Sequence, residues 1–503
     1  VSDGAALRPD VRVGVIGAGT MGAGIARVAA AAGHEVVLFD ARDGAASQAR
    51  AAIATDLERA VGRGKIAADD AAATVERLRV AASLAEFAAC GLVIEAIVED
   101  RAAKIALFRE LEAIVADDAI LATNTSSISV TAIAGALRVR ERCVGMHFFN
   151  PAYVMALVEI VRPLTASDAV VDTAYHTAQA WGKRALIVPS TPGFVVNRVA
   201  RPYYAEALRT LTAPASPAEI DAALTECGGF RMGAFALMDL IGNDINASVT
   251  RSVFEAFSYD RRFAPSLAQQ ALVDAGWLGR KTGRGFFLYG EGAVAPNVDD
   301  MPPGPVPSRV IAHGDLGVAS ALADLAAEAG LAVERVSSAD ARIEVDGIDL
   351  RLTDGALVAE HAHGRPSAVF DLALDYRACA RIVIGAADGD TSPATTAAGF
   401  FAALGKRVSI FPDVPGLVVM RTVAAIANEA TSMLAEGVGE EQIDLAMTLG
   451  TNYPLGPLAW ARRIGWPHVV ATLDNLSRVL GPERYTATPQ LRRFALAARQ
   501  SAA

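Results

Sequence analysis

Short apolar runs alternate with longer stretches of helical period over the first 190 or so residues. Residues 11–16 and 35–39 are β-branched runs, and residues 21–32 between them carry apolar side chains at helical spacing before Gly33. Runs this short, closed by turn residues, predict buried parallel strands, and the stretch between them predicts a crossover helix. The alternation continues through "GLVIEAIVED" (91–100), the helical "RAAKIALFRELEAIVA", then "AILATNTSSISV", "RCVGMHFFNP", "VMALVEIVR" and "KRALIVPS". The pattern predicts an α/β domain of Rossmann type over residues 1–189. In such sheets ligands lie beyond the carboxyl ends of the strands, where Ser126, His147 and Asn150 fall.

After Ser190 the period becomes helical throughout. "PGFVVNRVARPYYAEALRTL" opens with Pro and Gly, a helix start stands at Ser216, and Gly228–Gly229 breaks the run, which predicts an all-α domain over 190–290. "GEGAVAPNVDDMPPGPVPSR" is rich in Pro, Gly and Asp and predicts a linker over 291–308. Residues 309–404 hold five short strand patterns with Ala-rich helices among them, a small α/β domain of degenerate Rossmann-like kind. Its "HGDLG" stands where a phosphate loop would, but G-x-G-x-x-G is missing, so no second nucleotide site is expected. His361 and His363 in "EHAHG" read as a solvated turn and not as a metal pair.

Residues 405–503 repeat the first helical domain. "GKRALIVPSTPGFVVNR" (182–198) and "GKRVSIFPDVPGLVVMR" (405–421) align without a gap, with ten of 17 positions identical. Glu206 maps to Glu429, Gly233 to Gly456 and Gly242 to Gly465 at the same offset. Asn197 maps to Met420, which has no comparable donor. The second copy is therefore expected to support structure, not chemistry. The two helical domains are expected to pack as an internal pseudo-dimer, with a homo-oligomer of whole chains left open.

Composition narrows the class. Charged residues make up 20% against 52% hydrophobic, and the net charge of −10 argues against nucleic acid and against a membrane surface. No uninterrupted apolar run is long enough for a membrane span. Cys90, Cys143, Cys227 and Cys379 show no metal or disulfide spacing, and "VSDGAALRPD" lacks a signal pattern, so a reducing, cytoplasmic setting is expected.

The first strand runs into Gly17, Gly19 and Gly22, a G-x-G-x-x-G, and the second ends at Asp40. Gly17 permits the tight turn, Gly19 leaves room for a pyrophosphate, and Gly22 allows helix and strand to pack closely. Asp40 suits both ribose hydroxyls and repels a 2′-phosphate, which favours NAD over NADP, a preference that Arg42 weakens slightly. His147 and Glu159 lie on successive strands, so a hairpin brings carboxylate to imidazole, as in a hydride-transfer enzyme that needs a base for a hydroxyl proton. Ser126, Asn150 and Asn197 are donors for a developing carbonyl oxygen. Each residue alone also has a plain structural reading: a histidine at a strand end, an asparagine near a helix start, a serine capping the helix from Ser129.

Together these motifs resemble the 3-hydroxyacyl-CoA dehydrogenases: Ser126 in "TNTSSIS", His147 in "MHFFNP", Glu159 in "VEIV" and Asn197 in "PGFVVNR", with "GAGTMGAGIA", "VIEAIVED" and "GRKTGRGFFLY" in the same order. The resemblance covers residues 11–289 and the second helical copy, and points to the long bacterial form, of 3-hydroxyadipyl-CoA or 3-hydroxybutyryl-CoA type. It implies an NAD-dependent enzyme acting on an acyl-CoA. His147 would be the base held by Glu159, Ser126 and Asn197 would bond the reacting oxygen, and Asn150 would support the pocket. It further implies Glu95 and Lys104 beside the nicotinamide and makes Arg63 and Lys65 candidates for the CoA phosphates. Arg201, one turn beyond Asn197, is a candidate cation for a dicarboxylic acyl end. Another hydroxyacid dehydrogenase on this frame, or a crystallin-like NAD-binding structural protein, are the alternatives.

Overall fold

The computed structural model describes residues 4–211, 215–294, 296–361, 364–387 and 391–502. The chain divides into two compact units, Val1–Arg198 with Leu449–Thr451, and Val199–Thr448 with Asn452–Ala503.

The first unit is built on an eight-stranded sheet: β1 (Arg12–Ile16), β2 (Val36–Phe39), β3 (Leu78–Val80), β4 (Cys90–Glu95), β5 (Ile120–Thr123), β6 (Cys143–Phe148), β7 (Leu157–Arg162) and β8 (Arg184–Pro189), in the order β3-β2-β1-β4-β5-β6-β7-β8. All neighbours are parallel except β6 and β7, which pair antiparallel with His147 opposite Glu159. The strands are buried nearly throughout, as crossover helices on both faces require. The order reverses between β1 and β4, where the turn after β1 opens a crevice at the carboxyl ends. "GLVIEAIVED" is strand only as far as Glu95; Asp100 instead caps the next helix, accepting from Ala103 N at 2.8 Å. Helices Ala45–Gly62 and Ala68–Glu76 form a hairpin between β2 and β3.

In the second unit, helix Arg201–Thr210 begins at a break after Val196–Val199; Pro202 has no N–H to carry a continuous ladder past Ala200. A second sheet follows: β9 (Val310–His313), β10 (Val333–Val336), β11 (Arg342–Val345), β12 (Ile348–Leu352), β13 (Ser367–Phe370), β14 (Arg381–Ala386) and β15 (Arg407–Phe411), ordered β10-β9-β11-β12-β13-β14-β15. Its last four strands repeat the pattern of β5 to β8: parallel, antiparallel, parallel. On the other side, β11 and β12 form a hairpin through Asp346 and Gly347, both at positive φ, in place of a crossover helix. The boundary expected at 404/405 falls inside this sheet, because Arg407–Phe411 is its last strand. The stretch expected as a linker also joins it: Met301 N donates to Val408 O at 2.8 Å and Asp300 pairs with the buried Arg381 at 2.6 Å.

Within the same unit, helix Arg201–Thr210 packs against Val419–Leu434. Their contacts are reciprocal across the repeat. Glu206 accepts from Arg421 Nε at 2.5 Å and Tyr485 Oη at 2.8 Å. Glu429, the match of Glu206, accepts from Arg262 at 2.9 Å, and Arg262 is the match of Tyr485. Each copy also builds the same helix cap: Asp221 accepts from the amides of Phe235 and Ala236, and Asp444 from those of Leu458 and Ala459. A Cβ on Gly233 or Gly456 would collide with these carboxylates, which explains why both copies keep glycine there.

Among the described residues no helix is long and apolar enough to cross a membrane. All four cysteines are free and buried.

Candidate active site

The turn after β1 is shaped by its glycines. Gly17 has φ +99°, and a Cβ there would lie 2.4 Å from Ala96 O; one on Gly22 would lie 1.7 Å from Gly17 O. A Cβ on Gly19 would meet nothing within 4 Å, so the loop is open on the side that a pyrophosphate needs. Gly19 also caps helix Thr20–Ala31 without a side chain, which leaves the first-turn amides available to phosphate. At the end of β2, Asp40 accepts from Ala18 N at 2.7 Å, and Arg42 binds it through its backbone N–H at 2.9 Å and its guanidinium at 3.1 Å. Burial opposes its ionisation, but the Arg42 guanidinium and the two amides hold its carboxyl below the usual range. An ionised acid at this place fits a ribose diol. The second sheet repeats the strand-end bond, Gly314 N to Val336 O at 2.9 Å against Gly17 N to Phe39 O at 2.8 Å. There, however, the Asp315 carboxylate takes the Gly317 amide, putting a negative group where phosphate would lie.

His147 and Glu159 meet as the antiparallel pairing requires. His147 Nδ1 lies 2.7 Å from Glu159 Oε2, both side chains are buried, and Phe149 and Phe194 pack on the imidazole. Glu159 Oε1 accepts from Val195 N and Val196 N, each at 3.0 Å. Those amides point at it because Gly193 and Phe194 both take positive φ (75° and 48°), turning the chain into helix Val196–Val199. The duplicated "PG" thus encodes a turn that offers two amides to a carboxylate.

Asn197 Nδ2 donates to Ser126 O at 3.3 Å, so the two candidate donors lie side by side. Ser126 does not cap a helix; Ser129 does, accepting from Ala132 N at 3.2 Å. Sequence reasoning missed the group that holds the Ser126 loop. Glu99 Oε1 accepts from Thr125 Oγ1 (2.6 Å), Ser126 N (2.9 Å), Ser127 N (3.1 Å), Ser127 Oγ (3.0 Å) and Ser126 Oγ (3.3 Å). Burial raises its carboxyl, but Lys104 and these bonds win and hold it below the usual range. The signal was present: Glu99 lies past the end of β4, where ligands sit, whereas Glu95 is inside the strand, opposite Ile16.

Several expected contacts look different in place. Glu95 and Lys104 are 0% and 1% exposed and bond each other at 2.6 Å; Thr123 and Ile97 N occupy the rest of Glu95. They form a buried brace and present no face to a nicotinamide; Lys104 also pairs with Glu99 at 3.2 Å. Arg201 is likewise corrected: it is turned into the helical core, bonding Thr250 at 3.1 Å under the ring of Tyr204, and burial lowers its pKa. An acyl carboxylate finds no open cation there. Asn150 is exposed, preceding Pro151. Arg63 and Lys65 are exposed in the turn of the helical hairpin, as a phosphate contact would need. His361 Nε2 lies 3.1 Å from Asp354, and His363 lies outside the described residues.

The register identifies what replaces the pair in the second half. Glu159 pairs with Leu186 on β8; the match of Leu186 is Ser409 on β15, which pairs with Val383. Across the antiparallel pair from Val383 stands Asp371, whose N–H donates to Val383 O at 2.9 Å. Asp371 and Val383 therefore stand where His147 and Glu159 do. Asp371 accepts from the amides of Val418, Val419 and Met420 at 2.9, 2.7 and 2.9 Å, the first two being the matches of Val195 and Val196. Gly416 and Leu417 repeat the positive-φ turn, at 71° and 49°. The shared lysine ties backbone carbonyls in both halves. Lys183 holds Ala152 O and Met155 O, and Lys406 holds Arg377 O and Cys379 O.

The family profile for the NAD binding domain of 3-hydroxyacyl-CoA dehydrogenase matches residues 12–191, and that for its C-terminal domain matches 193–289 and again 416–503. The 3-hydroxybutyryl-CoA dehydrogenase reduced Rossmann-fold domain matches 350–415. The 3-hydroxyadipyl-CoA dehydrogenase of Escherichia coli K12 is 42% identical over 489 residues, 96% of this chain and 97% of that protein. A 3-hydroxybutyryl-CoA dehydrogenase of Mycobacterium tuberculosis is 39% identical over 281 residues, 55% of this chain and 98% of its own. A crystal structure of 3-hydroxybutyryl-CoA dehydrogenase from Escherichia coli K12 superposes with a TM-score of 0.89 at 40% identity, covering 98% of this chain and 100% of the other.

Proposed function

Since the chain belongs to the 3-hydroxyacyl-CoA dehydrogenase family, we propose that it oxidises the 3-hydroxyl of an acyl-CoA thioester at His147, Ser126 and Asn197. The observation that carries this reading is the closed chain of bonds from the Val195 and Val196 amides to Glu159 and on to His147. With Nδ1–H donated to Glu159, His147 keeps its lone pair on Nε2 and takes the hydroxyl proton there. Glu159 fixes the ring and stabilises the imidazolium; in the reductive direction the same nitrogen returns the proton. When bound, NAD supplies the acceptor for the hydride that leaves C3. Asn197 Nδ2 donates to the oxygen as it becomes a carbonyl, Ser126 Oγ turns its one hydrogen to that oxygen from the long 3.3 Å bond to Glu99, and the other bonds of Glu99 keep the Ser126 loop in place. Gly17, Gly19, Gly22 and Asp40 bind the dinucleotide, and Arg63 and Lys65 meet the CoA phosphates from the tip of the hairpin.

The substrate is a short 3-hydroxyacyl-CoA of the butyryl or adipyl kind, as the names of the relatives suggest. The test is NADH formation, followed by absorbance, against butyryl, adipyl and longer 3-hydroxyacyl-CoA thioesters. Absence of turnover on every thioester, with NAD still bound, would favour a structural role instead.

The reciprocal Glu206–Tyr485 and Glu429–Arg262 contacts support reading the two helical copies as an internal pseudo-dimer. In an isologous pair, residue i meets j and j meets i, and the repeat does this within one chain. The second copy, lacking Asn197, completes the fold around the first.

A further inference from the structure

The compact unit that holds His147 includes three residues from far along the chain, Leu449–Thr451. They are the last turn of helix Glu440–Thr451 in the second helical copy, and the middle one is Gly450. A glycine inside a helix costs about 1 kcal/mol relative to alanine, so its presence asks for a close approach. The approach is there. A Cβ on Gly450 would lie 2.9 Å from Leu157 Cδ2, 2.9 Å from Val196 Cγ2 and 3.2 Å from Val196 Cγ1.

Both neighbours flank the bond chain of the dyad. Leu157 precedes Glu159 by two residues on β7 and so shares its face of the sheet. Val196 gives Glu159 one of its two amide bonds. Leu157 and Val196 are 0% and 2% exposed, so neither can yield into solvent. Val196 is β-branched and stiff at χ1, and a push on its side chain is passed to its backbone. In the second half the match of Gly450 is Cys227, and the neighbouring Gly228 makes the close approach there: a Cβ on it would lie 3.2 Å from Cγ1 of Val419, whose amide caps Asp371.

We infer that Gly450 is a positioning residue for the reaction at His147. By leaving room for the turn to bear on Leu157 and Val196, it fixes the amides that hold Glu159, and through Glu159 the imidazole. The copy without the catalytic amide thus serves the chemistry of the other half. This rests on His147 being the base.

The test uses the full-length enzyme with Gly450→Ala, Val196→Ala and the double variant, reading kcat, KM, the pH profile of kcat/KM, NAD affinity and Tm. Gly450→Ala is expected to lower kcat about tenfold and move the acid limb of the profile, with NAD affinity changed by less than about twofold. The double variant, which removes the Val196 methyls that the new Cβ meets, is expected to regain most of the kcat lost. A Gly450→Ala enzyme with unaltered kcat and pH profile would overturn the inference. So would a double variant that recovers nothing, including the case in which Gly450→Ala does not fold and the double variant does not fold either. His147→Gln is run alongside: if it turns over normally, the base assignment fails, whereas a dead His147→Gln beside a normal Gly450→Ala removes only the inference.

Discussion

Glu206 and Arg421 meet at 2.5 Å inside the helical core, one from each copy of the repeated domain. Both are buried, so neither charge has water to fall back on. Glu206→Ala leaves Arg421 buried without its carboxylate, and the expected loss is about 3–5 kcal/mol, read by denaturant unfolding. Burial pushes the Glu206 carboxyl up, but Arg209 and Arg421 pull it below its ordinary 4.5. Its contribution is therefore full above about 4.5 and is lost as pH falls through the depressed value.

Glu159→Gln keeps the size of the side chain but offers an amide where His147 Nδ1–H requires an acceptor. The ring is then free to turn over or to settle in the other tautomer. Turnover should fall by about 10²–10⁴-fold, with NAD binding unchanged. Steady-state kinetics with a 3-hydroxyacyl-CoA and a fluorescence titration of NAD separate the two effects.

Glu99→Ala removes the acceptor for five donors of the Thr125–Ser127 turn. The turn loses its anchor and Ser126 its fixed place beside Asn197. The expected outcome is a kcat reduced about 10–100-fold with little change in Tm, because the site lies at a strand end and not in the core. A large fall in Tm with kcat preserved would assign Glu99 to stability alone.

Asp221 is raised to about 7, mainly by burial, against 3.8 for a free carboxyl. The folded state therefore binds a proton that the unfolded chain releases between those values, and stability falls as pH rises across that window. Asp221→Asn does not titrate. The stability advantage of the wild-type chain over Asp221→Asn should be largest near pH 4 and shrink towards pH 7, on the order of 3 kcal/mol over the range, read by denaturant unfolding at each pH. A difference independent of pH would show that Asp221 is already ionised at its helix cap.

The strand ends of the first sheet were legible in the sequence because each apolar run stops at a residue with chemistry: Gly17 after β1, Asp40 after β2, His147 near the end of β6. The His147–Glu159 pairing was legible because only a tight antiparallel return could join two such runs. Glu99 was not, since two acids close to the end of one run look alike until the register shows which of them is inside the sheet. Arg201 was misplaced for a related reason: counting one helical turn from Asn197 assumes a continuous helix, and Pro202 breaks it. The second sheet was legible as a small Rossmann-like α/β domain, but its strand-by-strand match to the first was not. Its kinship to the first lies in strand order and pairing, which leave no shared motif beyond the lysine and the Pro-Gly turn.

The exchange of His147 and Glu159 for Asp371 and Val383 has a consequence for engineering. In the first half the amides at the start of the helix restrain an acid that in turn restrains a base, so the cap and the chemistry are in series. In the second half the acid has moved to the strand of the base and closes directly on three amides, short-circuiting that series. Placing a histidine at 371 would uncap the helix before any carboxylate stood at 383 to receive it. Reviving the second half therefore demands both changes, because the histidine alone leaves the amides of Val418, Val419 and Met420 without their acid.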